Sequence, residues 1–259
     1  MMLSKACDIT GIVAIACAHH GCFAPNSVAN LFRGEQQKNV DWALLKACQT
    51  TNVDSHQGLL LIYDIACQYS IHLRDHIGHL LPDGLEVDSA IGLFHVHGHK
   101  DVCFFRYATT FIPGAAVVVG EILESLWAVL NAVTPAMRTA TLAHRAEIMD
   151  DHMTESNHQK ALGLTTTLCN RYTQASVMSR SAREYYDGLT ERINDELVQQ
   201  WEIDIKRAET QRKEKISVMD ILAATRPQQE ECTVLPEPSA ADGLVTEWLQ
   251  MAIVIHEKQ

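Results

Sequence analysis

The sequence predicts an α/β fold, with a mixed sheet in the first part of the chain and helices in the rest. The apolar, β-branched runs that indicate strands lie in the first part of the chain. Amphipathic patterns of helical period fill most of the remainder. Between the two, residues 58–63 form an unbroken apolar run that passes directly into a helical pattern, which is typical of a strand buried on both faces of a sheet.

Each predicted element follows from its apolar period and from the residues that interrupt it. The predicted strands are apolar or alternating runs at residues 7–17, 27–31, 58–63 and 90–99, of which the first two are expected to pair. The predicted helices have apolar residues three or four apart and cover residues 39–50, 65–80, 121–131, 139–153, 156–162 and 181–215. Asn39 or Asp41 is expected to cap the first of these helices.

The order of these elements divides the chain into four predicted regions. An α/β core at residues 1–163 is followed by a helical extension at 164–225. A polar segment with prolines then forms a linker at 226–240, and a terminal helix covers 241–259. The chain of 259 residues, 47% of them hydrophobic, is long enough to bury a sizeable core.

Composition excludes several classes of protein. No apolar run reaches the roughly 18 residues of a membrane span, and the first residues lack the features of a signal peptide, so we expect a nuclear or cytoplasmic protein. The eight cysteines form no CxxC pair, which argues against a secreted disulfide framework. The net charge of −11 means that any contact with nucleic acid is local, because phosphates are bound by clustered lysine and arginine.

Acidic side chains occur at two places where an open sheet exposes functional groups. Asp64 stands where an apolar strand gives way to a helix, beyond the carboxyl end of the strand. Glu121 and Glu124 are three residues apart and therefore share one face of a helix. Carboxylates that converge in a cleft repel one another unless a cation lies between them, and Mg²⁺ prefers oxygen ligands. The alternative is structural, since an Asp often caps a helix and a Glu often complements a helix dipole.

Histidine and cysteine residues suggest a second site. His95, His97 and His99 alternate with other residues, so a strand would project all three from one face. A zinc site formed by Cys17, His20, His97 and Cys103 is chemically reasonable, because zinc favours tetrahedral Cys and His ligation. The spacings are not those of a standard zinc finger, and we favour the simpler alternative in which His95 and His97 are held by hydrogen bonds and Cys103 lies in the core.

Several motifs in the same order resemble the Kyakuja-Dileera-Zisupton (KDZ) transposases, a DDE-type family with a ribonuclease-H-like fold. The matching segments are TGIVAIACAHHGCF from Thr10, GE with a later NVDW from Gly34, YDIACQY from Tyr63, FHVHGHKDVCFFRY from Phe94, GEILESLW from Gly120, HRAEIMDDH from His144 and NHQK from Asn157. The resemblance implies that Asp64 and Glu121, with Glu124 as the substitute for Glu121, are catalytic ligands of Mg²⁺ or Mn²⁺. It also implies DNA as the partner and the nucleus as the location.

The chain departs from the family pattern in two ways. The first catalytic aspartate of the family stands on a strand well upstream of the segment at Thr10, and the chain begins only a few residues before that segment. Ser125 stands where the family usually has an arginine. We therefore expect an incomplete ribonuclease-H-like core without its first strand, and a transposase remnant that is inactive as this chain. The alternative is a domesticated, non-catalytic module that binds protein or nucleic acid.

Overall fold

The structure is a computed structural model and describes residues 8–115, 118 and 120–223. Its strands are β1 (Gly11–Val13), β2 (Ala29–Leu31), β3 (Leu59–Ile62) and β4 (Val87–Ala90). Its helices are α1 (Gln37–Thr51), α2 (Ala66–Ile77), α3 (Leu93–Val96), α4 (Asp101–Tyr107), α5 (Ile122–Leu130), α6 (Thr134–Arg138), α7 (Leu142–Thr190) and α8 (Asp195–Gln211). Short 3-10 segments cover Gly78–Leu80, Thr109–Phe111 and Ile216–Leu222. The prediction of a mixed α/β chain with early strands and late helices is confirmed.

Two small sheets replace the single sheet that the sequence suggested. β1 pairs with β2 in antiparallel orientation, with Gly11 opposite Leu31, as expected for the strands predicted at 7–17 and 27–31. A separate bridge joins Ala16 to Phe23. β3 pairs with β4 in parallel orientation, from Leu59 opposite Val87 to Ile62 opposite Ala90. Parallel pairing requires a crossover connection, and α2 provides it.

The first core forms around α1, α2 and β3. Three apolar residues of α2 at four-residue spacing, Tyr69, Leu73 and Ile77, are buried, as the sequence predicted. The expected side-chain cap of α1 is wrong, because the helix begins at Gln37 and its N-cap residue makes no side-chain hydrogen bond. Asp41 is instead a buried residue inside the helix, where its Oδ1 accepts a hydrogen bond of 2.6 Å from the hydroxyl of Tyr69.

The segment after β4 corrects the prediction of a strand at residues 90–99. The strand ends at Ala90, and the backbone N–H of Val96 donates to the carbonyl of Gly92 at 2.9 Å, which closes a helical turn. The residues whose alternation suggested a strand belong partly to this turn, on which Val96 is the buried residue. The prediction that His95, His97 and His99 project from one strand face is therefore wrong.

The helices after residue 120 surround a second core. Leu126 and Leu130 of α5 are buried with Met149 and Met153 of α7, against Phe23. The side chain of Asn157 fixes this arrangement, because its amide both donates to the carbonyl and accepts from the N–H of Phe23, at 2.9 and 2.8 Å. None of the described helices combines the length and the apolar composition that a membrane crossing requires.

Helix α7 is longer than the sequence indicated. The predicted helices at 139–153 and 156–162 are parts of one helix of 49 residues, and the predicted helix at 181–215 is interrupted between α7 and α8. Asn194 begins α8 by accepting a hydrogen bond from the N–H of Glu196. The chain divides into two compact units, 1–174 and 175–259. The predicted linker at 226–240 and terminal helix at 241–259 lie outside the described residues.

Replacing Tyr69 with Phe tests the buried hydrogen bond between α1 and α2. We expect the free energy of unfolding to fall by about 1–3 kcal/mol, because Asp41 keeps its burial and loses its donor. Urea denaturation followed by circular dichroism measures the loss. Tyr107→Phe is the matched control, since that hydroxyl is 3.5 Å from the Ser70 hydroxyl and should cost well under about 1 kcal/mol. Equal losses in the two variants would contradict the assignment.

Candidate functional site

Asp64 lies at the edge where the parallel pair of strands ends. The N–H of Tyr63 donates to the carbonyl of Ala90 at 2.9 Å, so the ladder between β3 and β4 continues to the residue before Asp64. Because the strands run in the same direction, the residues that follow β3 and those that follow β4 leave the sheet at the same edge. The side chain of Asp64 is 59% exposed at this edge.

The imidazole of His95 lies between two of the predicted carboxylates. Its Nε2 is 3.6 Å from Oδ1 of Asp64 and 3.5 Å from Oε1 of Glu124. One ring nitrogen therefore faces a carboxylate that follows β3 and another on the first turn of α5. A proton on His95 would place a positive charge between the two acids.

Glu121 is the most deeply held acid of the site. Its Oε1 accepts a short hydrogen bond of 2.6 Å from the backbone N–H of Phe94, the residue before His95. Its Oε2 is buried and has no hydrogen-bond partner within the described residues. Leaving a buried acceptor unpaired costs about 1–3 kcal/mol, and more when the group is charged. Glu121 is close enough to Asp64 and His95 for their charges to act on the pKa of its carboxyl, although the three carboxylates are not gathered within 4.8 Å of one another.

Gly120 lets Glu121 reach this position. Its φ of +89° is a conformation that glycine adopts without steric cost. A Cβ added at Gly120 would lie 2.9 Å from the backbone Cα of Gly92 and 2.9 Å from Cγ2 of Ile62. Gly120 therefore lies directly against the end of β3 and the turn after β4.

The electrostatics of the site reflect its crowded acids. Burial raises the pKa of Asp64, the charges of Glu124 and Glu35 raise it further, and His95 and His99 oppose the shift. Burial also raises the pKa of Glu121, while the Phe94 N–H and His95 lower it. In both cases the carboxylate form is disfavoured relative to a carboxylate in water. A cation bound among these oxygens would reverse that preference.

Glu35 lies near the same acids, although it is not one of the three predicted carboxylate ligands. Its Oε1 accepts a hydrogen bond of 2.6 Å from the hydroxyl of Tyr63. Burial is the largest cause that raises the pKa of Tyr63, followed by its hydrogen bond to Glu35. The signal available in the sequence was the pairing of the GE segment at Gly34 with the YD segment at Tyr63, both quoted for the family resemblance.

The residue types at this edge fit a hard divalent cation. Asp64, Glu121 and Glu124 supply carboxylate oxygens, which Mg²⁺ and Mn²⁺ prefer over sulfur and nitrogen ligands. The unpaired Oε2 of Glu121 is the kind of buried oxygen that a bound cation would satisfy. Such a cation would also relieve the repulsion that contributes to the raised pKa of Asp64.

The four residues of the predicted zinc site lie in three different places. Sγ of Cys17 is 3.3 Å from Nδ1 of His20. The ring of His97 packs against Phe104, with centroids 5.5 Å apart. Cys103 is buried, as the favoured alternative expected, and lies beside Cys67 and His99. Within the described residues the predicted quartet is therefore not assembled.

Comparison with known proteins identifies one family. Residues 2–157 match the family model described as Kyakuja-Dileera-Zisupton transposase. No curated protein matches the chain, and no solved structure matches it. The matched segment contains Asp64, Glu121 and Glu124, the four strands that the structure describes and the beginning of α7.

Replacing Gly120 with Ala tests how Glu121 is positioned. We expect a loss of about 1–3 kcal/mol in the free energy of unfolding from the positive φ, increased by the contact with Gly92. The Phe94 amide should also exchange its hydrogen faster, because displacement of Glu121 removes its acceptor.

Gly84→Ala is the matched control for this variant. Gly84 has a φ of +75° and open space around the position of a Cβ, so its replacement carries the backbone strain without the clash. Urea denaturation and hydrogen exchange are measured on both proteins. Equal destabilisation, with the Phe94 amide unchanged in Gly120→Ala, would refute the positioning role.

Proposed function

The chain belongs to the Kyakuja-Dileera-Zisupton transposase family, and from this premise we propose that Asp64, Glu121 and Glu124 bind one Mg²⁺ or Mn²⁺ ion at a site derived from a DDE transposase. The observation that carries the proposal is the buried Oε2 of Glu121, which has no hydrogen-bond partner among the described residues. The charges of Asp64 and His95 act on the carboxyl of Glu121, and Asp64 and Glu124 contact the same imidazole. A bound divalent ion supplies Lewis-acid stabilisation of the oxygens of a phosphodiester.

The side chains of the site have different tasks in this proposal. Glu121 is fixed by the Phe94 N–H and offers its free oxygen from a constant position. Asp64 and Glu124 are more exposed and can adjust to the ion and to a DNA phosphate. His95 is a positioning residue that separates these two carboxylates in the absence of the ion.

The surrounding fold supports a ribonuclease-H-like core as the finer description. The parallel pair β3 and β4, an acid directly after β3, and an acidic helix start at α5 are consistent with such a core. In this proposal the core covers residues 1–163, with a helical extension at 164–225. The linker at 226–240 and the terminal helix at 241–259 complete the proposed organisation.

DNA is the proposed partner and the nucleus the proposed location, both on the basis of the family. The chain has a net charge of −11, so the contact with DNA must be restricted to part of the surface. A divalent ion among the carboxylates would reduce the negative potential at the one place where a phosphate has to approach.

We further propose that the 259-residue chain cleaves DNA poorly. Strand transfer by two metal ions needs ligands for both, and the acids described above come from only two of the three acidic motifs of the family pattern. Oε1 of the nearby Glu35 already accepts the Tyr63 hydroxyl. Ser125, at the position of the arginine in the family pattern, supplies no positive charge and donates its hydroxyl to the carbonyl of Ile122 at 2.8 Å.

A nuclease assay on labelled duplex DNA with Mg²⁺ or Mn²⁺ tests the proposed lack of activity. We expect nicking and strand transfer at the level of an Asp64→Ala control, because the described ligands lack the first acid of the family triad, which helps to place the two ions. Robust cleavage that Asp64→Ala abolishes would overturn this part of the proposal. Glu35→Gln, measured in parallel, would then show whether Glu35 serves as the additional ligand.

Metal binding itself is tested by thermal unfolding of Asp64→Asn. The folded-state pKa of Asp64 is raised, so the ionised carboxylate destabilises the ion-free protein, and this penalty grows as the pH rises above the ordinary Asp range. In buffer without added divalent ions, we expect the variant to melt at a higher temperature than the wild type at pH 7. The difference should shrink as the pH falls through the ordinary Asp range, because below that range the carboxyl is protonated in both folded and unfolded chains.

Addition of Mn²⁺ should reverse the order of the two proteins. The wild type gains stability from the bound ion, whereas the variant lacks a ligand. Asp83→Asn, in an exposed turn after α2, is the control and should respond to Mn²⁺ as the wild type does. A Mn²⁺ shift that persists undiminished in Asp64→Asn would rule out the carboxylate site.

A further inference from the structure

A cluster of soft ligands lies beside the carboxylate site. Cys67 is in the first turn of α2, His99 is in the turn between α3 and α4, and Cys103 is in α4. One ligand atom from each of these residues lies within 4.8 Å of the others. No other group of three potential metal ligands of this compactness occurs in the described part of the chain.

The geometry of this Cys67–His99–Cys103 cluster matches zinc ligation. Tetrahedral zinc, with bonds of about 2.3 Å to sulfur and 2.0–2.1 Å to nitrogen, holds sulfur and nitrogen ligands roughly 3.6 Å apart and two sulfurs roughly 3.8 Å apart. Sγ of Cys67 is 3.4 Å from Nδ1 of His99. The cluster therefore needs adjustments of only a few tenths of an ångström in that pair to bind the ion.

Charge and accessibility also suit a zinc ion. Two thiolates balance its two positive charges, so the complex with a neutral imidazole carries no net charge into a partly buried place. Cys103 is buried, while Cys67 and His99 are half-buried. A solvent molecule can reach the fourth position from the side of Cys67 and His99.

We propose that Cys67, His99 and Cys103 bind one Zn²⁺ ion, with a solvent molecule as the fourth ligand, at a site separate from the carboxylates. The thiolate ligands select zinc over Mg²⁺, which the carboxylate site prefers. The ion replaces the thiol protons of Cys67 and Cys103, which are released to solvent, so binding weakens as the pH falls.

Zinc at this cluster would link two of the segments that surround the carboxylate site. Cys67 is three residues after Asp64, and His99 is four residues after His95. The ion would link the start of α2, after β3, to the α3–α4 segment, after β4. His99 is also near enough to Asp64 to lower the pKa of its carboxyl. The ion would thus stabilise the arrangement from which Asp64 and His95 project.

Metal analysis of the purified full chain tests the proposal. Protein purified under reducing conditions from zinc-supplemented medium should contain about one zinc per chain, and Cys67→Ser, Cys103→Ser and His99→Asn should each lose most of it.

Three control variants should retain the zinc. They are Cys48→Ser, which changes a buried cysteine of the α1 core, His97→Asn, which lies on the same segment as His99, and Asp64→Asn. Retention in Asp64→Asn separates this site from the carboxylates. Wild-type protein with little zinc would overturn the proposal, as would loss of zinc in Cys48→Ser equal to that in Cys103→Ser.

Two measurements on the wild type keep the test decisive if a ligand variant does not fold. Cobalt substituted for zinc should give intense thiolate-to-metal charge-transfer absorption. Removal of zinc with a chelator should make two further thiols, Cys67 and Cys103, reactive toward an alkylating reagent, located by mass spectrometry. A cobalt spectrum without thiolate bands would overturn the proposal. Alkylation of Cys67 and Cys103 at the same rate with and without chelator would also overturn it.

Discussion

The parallel pairing of β3 with β4 is the constraint on which the rest of the structure around the site depends. Because both strands end at the same edge, Asp64 and the segment containing Phe94 and His95 emerge side by side. An antiparallel pair would have placed them at opposite edges. Glu121 can join them because Gly120 has no side chain and lies directly against Gly92. In this position Glu121 accepts a hydrogen bond from the N–H of Phe94. Three segments, those after β3, after β4 and before α5, thus meet at the end of one short ladder.

Stability and function oppose each other at this edge. The raised pKa of Asp64 and the unpaired oxygen of Glu121 each lower the free energy of unfolding of the ion-free protein. The neighbouring core offsets the loss, since Tyr69 is fully buried and its hydroxyl binds Asp41 across α1 and α2. Tyr69 also packs edge-on against Tyr63, the residue before Asp64, with ring centroids 5.5 Å apart. Contacts with the core therefore fix the start of α2. The exposed acids are not needed to stabilise this helix.

The sequence predicted those elements for which the apolar period and the residues at the ends indicate the same structure. The strand before Asp64 and the helix after it were predicted because an unbroken apolar run changes to four-residue spacing at a single point. The histidine segment was misjudged because its alternation over a few residues cannot distinguish a strand from a single helical turn with Val96 inside. Cys67 was missed as a partner of Cys103 because the crossover connection brings the two together. Their spacing along the chain does not predict that contact. The length of α7 was underestimated because most of its surface is exposed and its amphipathic pattern is weak.

The central claim is that the acids after β3 and before α5 surround one divalent ion. Crystals of the protein grown with Mn²⁺ and measured at a wavelength where manganese scatters anomalously test it most directly. The account predicts one anomalous peak per chain, with oxygens of Asp64 and Glu121 at roughly 2.0–2.6 Å and Oε2 of Glu121 among them. The claim would be contradicted if, at saturating Mn²⁺, the site showed no anomalous peak and His95 still lay between Asp64 and Glu124.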